Sequence, residues 1–226
     1  MPCLTSVGLS GNGERGRTDS GGQPRPEPVV VLGLGNPGAE YAKTRHNLGA
    51  EAVAGLARRL GVKMGRGGLR TRKLQSLWGR GNIQDRKVIL ALPQTYMNLS
   101  GQAAAALTAY FGISPRSVLV VHDDLDLELG RLKIARKGSA AGHKGVNSLI
   151  QNLGTDMFLR LRLGIGRPQY KESVEKYVLS GFYSDQRDLA ENMVEKAVDC
   201  METILTQGED TAMQKFHQNV IREVDG

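Results

Sequence analysis

Two residues near the start of the apolar sequence have types suited to proton transfer and hydrogen bonding. Asn36 and His46 stand ten positions apart behind the apolar run Val29 to Leu32. A histidine can take up and return a proton near neutrality, and an asparagine amide can donate to a carbonyl or a developing oxyanion. Both act only if something carries them to one place. The run Val29 to Leu32 reads as a strand buried on both faces, and Gly33, Gly35, Pro37 and Gly38 break it into a tight turn with Asn36 at the apex. A helical period (Leu48, Ala52, Val53, Leu56, Leu60) then begins beside His46, with Gly61 as its C-terminal stop. Both residues therefore face the crevice at the carboxyl end of a strand, where open α/β sheets bind ligands.

Three further strand ends deliver polar groups to the same edge. Val88 to Leu92 leads into Pro93-Gln-Thr-Tyr96-Met97-Asn98-Leu-Ser100, where Asn98 or Ser100 suits the cap of an alanine-rich helix. Val118 to Val121 leads into His122-Asp123-Asp124-Leu-Asp126. A cation loop would want more oxygen ligands at regular spacing, and no histidine cluster accompanies the acids, so a carboxylate orienting an imidazole is the simpler use. The third, Gly138-Ser-Ala-Ala-Gly142-His143-Lys144-Gly145, is a polar loop entering a helix, suited to anion contact.

Gly33-Leu-Gly35-Asn-Pro-Gly38 also matches the dinucleotide fingerprint G-x-G-x-x-G. That reading fails on context. Pro37 turns the chain away where the third glycine should open a helix, and positions 55 to 61 read GLARRLG where an acidic strand end should follow. A nicotinamide-dependent oxidoreductase is rejected on that basis.

The elements expected to hold these residues alternate. Strands are expected at 29 to 34, 73 to 79, 87 to 92, 117 to 122, 131 to 136 and 160 to 166, with helices at 45 to 60, 99 to 111, 143 to 153, 172 to 179, 185 to 206 and 210 to 222. This is an α/β class protein: a single domain over 29–226, with a central mixed twisted sheet flanked by helices. Its 226 residues, 40% apolar, suffice for a full core. No apolar stretch approaches the roughly 20 residues that span a bilayer, so no membrane contact is expected. Cys3 and Cys200 make no disulfide framework. Residues 1–28, rich in Gly, Arg, Ser and Pro, read as a disordered extension or a transit segment, although Glu14, Asp19 and Glu27 are atypical of the latter.

The net charge of +7 is uneven: residues 41 to 144 hold 18 Lys/Arg against 6 Asp/Glu, while residues 145 to 226 hold 9 against 13. A polyanion would meet the middle of the chain. Period-two alternation puts Arg131, Lys133 and Lys137 on one strand face and Arg160 and Arg162 on another, which would make phosphate-tracking surfaces. Few aromatics lie among them, so backbone contact is expected rather than base stacking.

GLGNPGAEYAKTRHNLG, QTYMNLSG, VVHDDLDLELGRLKIARKGSAAGHKG and LRLGIGRP, in that order and spacing, resemble the bacterial-type peptidyl-tRNA hydrolase family over about residues 29 to 208. The resemblance implies a monomeric enzyme without metal or other cofactor that cleaves the ester between a peptide and the terminal ribose of tRNA. It implies His46 as catalytic base, Asp123 as its acidic partner and Asn36 as the asparagine engaging the peptide beside the ester. Asn98 is implied as a second, carbonyl-polarising asparagine, with Tyr96 and Met97 lining the cleft, Tyr41 touching the tRNA end and His143 and Lys144 binding substrate. Arg131, Lys133, Lys137 and Arg162 are implied as contacts to acceptor-stem phosphates. One position departs from the pattern: the family reads Gly-His-Asn-Gly where this chain has Gly142-His143-Lys144-Gly145. Some plant organelle splicing factors share the resemblance and act as RNA-binding scaffolds, which is the alternative function. The expected location is the cytoplasm, with a mitochondrion or another organelle as the alternative.

Overall fold

The computed structural model describes residues 27–217. Most of the 1–28 extension, and the end of the helix expected at 210 to 222, lie outside the described residues. The strands β1 (Val29–Gly33), β2 (Ser76–Ile83), β3 (Arg86–Pro93), β4 (Val118–Asp124), β5 (Leu132–Ala135) and β6 (Leu159–Gly164) form one sheet in the order β2-β3-β1-β4-β6-β5. The four central strands are parallel and both edges are antiparallel, which is the expected mixed sheet.

Six helices cover it: α1 (Leu48–Arg59), α2 (Ser100–Phe111), α3 (Lys144–Leu153), α4 (Val174–Val178), α5 (Arg187–Gln207) and α6 (Glu209–Phe216). Alternation along the strands sorts the core. Val31, Leu119, Val121 and Leu161 pack with Val53 of α1 and Met193, Ala197 and Met201 of α5. Val30, Leu32, Val118 and Val120 pack with Ala104 and Leu107 of α2 and Val146 and Leu149 of α3. Both faces of β1 and β4 are thus covered, as their continuous apolar runs require. Among the described residues, no helix is long and apolar enough to cross a membrane.

One expected strand is displaced. Residues Leu69–Leu74 form a 3₁₀ helix and β2 starts at Ser76, not at 73. Its inward positions include Gly79, where a Cβ would fall 2.6 Å from the Lys63 carbonyl oxygen. A strand whose inner face is glycine under a crossing chain has no apolar alternation to read. The expected helix at 45 to 60 likewise opens with a 3₁₀ turn, Arg45–Asn47, before α1. Gly49 then lets α1 press onto the sheet, since a Cβ there would lie 2.2 Å from the Val121 carbonyl oxygen.

Candidate active site

That close approach sets the turn carrying His46 over the end of β4, which carries Asp123. His46 Nδ1 lies 2.9 and 3.1 Å from the two Asp123 carboxylate oxygens, and both residues are buried. A second imidazole shares the carboxylate: His143 Nε2 lies 3.0 Å from Asp123 Oδ1. His143 is the N-cap of α3, its Nδ1 accepting from the amides of Gly145 and Val146. A nitrogen that accepts from two amides carries no proton, so His143 is the Nε2–H tautomer and donates to Asp123. Both its nitrogens are therefore engaged within the protein.

Burial disfavours the charge on Asp123, but the His143 and His46 imidazoles more than offset it and hold its carboxyl well below the usual carboxylate range. The carboxylate then receives Nδ1–H of His46, leaving His46 Nε2 as the bare lone pair of a proton acceptor. His122 packs its ring 4.8 Å from that of His143 and donates Nδ1–H to the Asp123 carbonyl at 2.7 Å. Burial, with the His143 imidazole second, pushes its pKa down to about 3, so it stays neutral. The sequence showed no histidine cluster beside the acids, yet the fold places ligand atoms of His46, Asp123 and His143 within 4.8 Å of one another, close enough to hold a metal ion. Coordination there would require His143 Nε2 to give up its proton, or the ring to leave its cap, so the protonation pattern suits proton transfer better than metal binding.

Asn36 is gripped from both sides. Its backbone N–H and carbonyl pair with the Asn47 side chain at 2.8 Å each, and its Oδ1 accepts the Met97 amide at 2.8 Å. The side-chain oxygen is thereby used, and the Nδ2 donors are left for the cleft. Asn98 lies exposed in the turn before α2, and its side chain makes no hydrogen bond among the described residues. The capping role that its sequence position suggested is absent, since α2 has no side-chain cap. Asn36, Asn98, Tyr41, Tyr96, Met97, His46 and Asp123 all line one cavity of about 820 Å³. Tyr96 is 61% exposed at its rim, whereas Met97 is buried.

The basic residues divide. Lys137 and Arg162 line the cavity, Arg162 also bonding Asp124 through Nε. Arg131 and Lys133 do not line it; they lie at the edge strand β5, where both lower the pKa of His217 after the larger effect of its burial. Arg160 corrects the expected open basic face. It is 4% exposed and donates to the Ser139 and Gly138 carbonyls at 2.8 and 2.6 Å. β6 is an inner strand, so at Arg160 its basic face meets the 138–139 loop at the cavity wall, while Arg162 on the same face opens onto the cavity. Lys144 also lines the cavity, its Nζ 2.8 Å from Glu175 Oε1 of α4.

Two neighbours of His46 were quoted within the sequence motif but given no role. Asn47 clamps the Asn36 turn, as above. Arg45 is wholly buried with no carboxylate among its hydrogen-bond partners. Its guanidinium donates to the Tyr177 and Gly181 carbonyls and Ser180 Oγ, and stacks 3.9 Å from the Tyr177 ring centroid. A cation buried this way is held by carbonyl dipoles and ring faces. It ties α4 and Leu179, which line one side of the cavity, and the chain that follows them to the turn that carries His46. A lone arginine before a histidine carries no such signal in sequence.

A family model described as peptidyl-tRNA hydrolase matches residues 30–223. The chain belongs to that family. It is 43% identical to the peptidyl-tRNA hydrolase of Chloroflexus aurantiacus over 189 residues, covering 83% of this chain and 98% of the relative. It is 45% identical to that of Moorella thermoacetica over 190 residues, covering 84% and 97%. The crystal structure of peptidyl-tRNA hydrolase from Acinetobacter baumannii superposes with a TM-score of 0.77 at 36% identity, over 84% of this chain and 94% of that one. The α/β fold with its mixed sheet is therefore the peptidyl-tRNA hydrolase fold. None of these relatives is named as a splicing factor, and the scaffold alternative finds no support among them.

Proposed function

We propose that this protein hydrolyses peptidyl-tRNA, breaking the ester between the peptide and the terminal ribose and releasing free tRNA and peptide. The observation that carries the reading is the buried His46–Asp123 pair opening onto the same cavity as Asn36, whose Nδ2 has no partner among the described residues. A neutral His46 takes a proton through Nε2 from a water that attacks the ester carbonyl, a contribution of about 10²- to 10⁴-fold. Asn36 and Asn98 donate to the peptide and to the oxyanion, each such donor being worth on the order of 10²- to 10³-fold. The tetrahedral intermediate then collapses, and the ribose oxygen leaves with the proton that His46 returns.

Tyr41, Tyr96 and Met97 form the walls around the tRNA end and peptide, while Lys137 and Arg162 at the cavity, with Arg131 and Lys133 farther out, meet acceptor-stem phosphates. On this reading the protein works as a monomer, and its proton transfers, carried by side chains, call for no metal or other cofactor. Its place is the cytoplasm, with a mitochondrion or another organelle as the alternative. Aminoacyl-tRNA lacks the peptide carbonyl and bears a charged amine, so the Asn36 and Asn98 donors would go unpaired and the site would disfavour it. The test is incubation of the full chain with diacetyl-lysyl-tRNA and with lysyl-tRNA. Release of tRNA from the first only is expected; an intact diacetyl-lysyl-tRNA would overturn the reading.

A further inference from the structure

A second basic surface lies away from β5 and β6. Between Glu51 and Asp85 the chain has eight Lys/Arg and no Asp/Glu. Arg66, Arg70, Arg72 and Lys73 of this stretch are exposed, and none makes a hydrogen bond or ion pair among the described residues. Other surface arginines do find acids: Arg59 meets Glu195, Asp199 and Glu202, Arg136 meets Glu209, and Arg167 meets Asp126. Arg58, Lys63, Lys87 and Arg187 are exposed and unpaired too, so what sets these four apart is their clustering within eight residues.

The four cations ride on an anchored platform. Gly65 bridges Trp78 of the edge strand β2, Thr71 Oγ1 donates to the Gly68 carbonyl, and Leu74 is fully buried in the cluster that holds Met97. Gln94 N–H donates to the Gln75 carbonyl at 2.7 Å, joining the platform to the chain that leads into Tyr96 and Met97. The platform therefore flanks the cavity on its Tyr96 side, while Lys137 and Arg162 flank it on the β6 side. β2 and β6 are four strand spacings apart, about 19 Å, within reach of the two strands of one RNA duplex. Exposed, unpaired cations on an anchored backbone, with no aromatic among them, suit phosphates and not bases.

We infer that the 66–73 face binds the sugar-phosphate backbone of the same tRNA whose ester lies in the cavity, so that the RNA is held from both sides. The inference rests on the hydrolase reading for the identity of the RNA. The test compares the wild-type chain, the variant Arg66→Gln/Arg70→Gln/Arg72→Gln/Lys73→Gln and the control Lys87→Gln in binding deacylated tRNA over a salt series. Lys87 is exposed on β3, outside the face. Each lost phosphate contact lowers the slope of log affinity against log salt by roughly 0.7 to 0.9. The expected result is a slope smaller by about 3 to 4 units and at least ten-fold weaker binding at low salt, with Lys87→Gln within two-fold of wild type. The single-turnover rate at saturation should be unchanged. A natively folded variant with wild-type slope and affinity overturns the inference; should the fourfold variant not fold, the 66/70 and 72/73 pairs are measured separately by the same criterion. Deacylated tRNA requires no cleavage, so a lost slope with an inactive wild type would sink the hydrolase reading alone.

Discussion

Asp123 Oδ1 lies 3.0 Å from Nε2 of His143, so the carboxylate paired with the His46 imidazole is itself held by a second imidazole. The cap at Nδ1 fixes which nitrogen points at Asp123. His143→Asn keeps a side-chain cap for α3 but loses the reach to Asp123. Loss of a charge-assisted bond of this kind should lower kcat about ten-fold with KM near wild type, as steady-state kinetics would show. A variant with unchanged kcat would reduce His143 to a helix cap.

Asn36 accepts from Met97 through its oxygen and offers its nitrogen to the cleft. Asn36→Asp keeps the shape and the acceptor while removing the donor. The expected outcome is a 10²- to 10³-fold loss in kcat/KM with a melting temperature close to wild type. A loss of stability equal to the loss of activity would assign Asn36 to the turn and not to the substrate.

His122 makes stability depend on pH. Its folded pKa is about 3 against about 6.5 in the unfolded chain, so the unfolded state takes up a proton that the folded state refuses. The stabilisation is complete above pH 6.5 and is lost as pH falls from there toward 3. His122→Asn should cut the loss of unfolding free energy between pH 6.5 and 4.5 by about 2 to 3 kcal/mol in urea titrations. An unaltered pH dependence would mean that His122 is protonated in the fold.

Lys144 and Glu175 join the start of α3 to α4 across the cavity, both side chains exposed. The hydrogen bond from Lys144, then its charge, lowers the Glu175 pKa. If Lys144 reaches a tRNA phosphate, it must leave Glu175 to do so. Glu175→Gln should then tighten tRNA binding by up to about five-fold, and Lys144→Asn should weaken it and flatten its salt dependence. Opposite shifts would make the pair a binding contact in its own right.

The parts of the site legible in sequence were those written as strand ends. Val29 to Leu32 and Val118 to Val121 are continuous apolar runs, and each delivers its polar residues to the mouth as its alternation requires. Arg45 and Arg160 were not legible as supports, because a buried arginine satisfied by carbonyls looks in sequence like any surface cation. Nor was the sharing of Asp123 by His143, twenty residues away, since only the turn after β5 brings α3 back to β4. β2 hid behind Gly79 and Gly81, whose place is set by Val62 crossing them rather than by side chains of their own.

The central claim is that His46, aligned by Asp123, is the proton acceptor in ester cleavage. Its most direct test is the single-turnover rate of His46→Ala on saturating diacetyl-lysyl-tRNA, measured beside its affinity for deacylated tRNA. A rate at least 10²-fold below wild type with affinity within two-fold is expected for a group acting on the transition state. Cleavage at a near wild-type rate would contradict it.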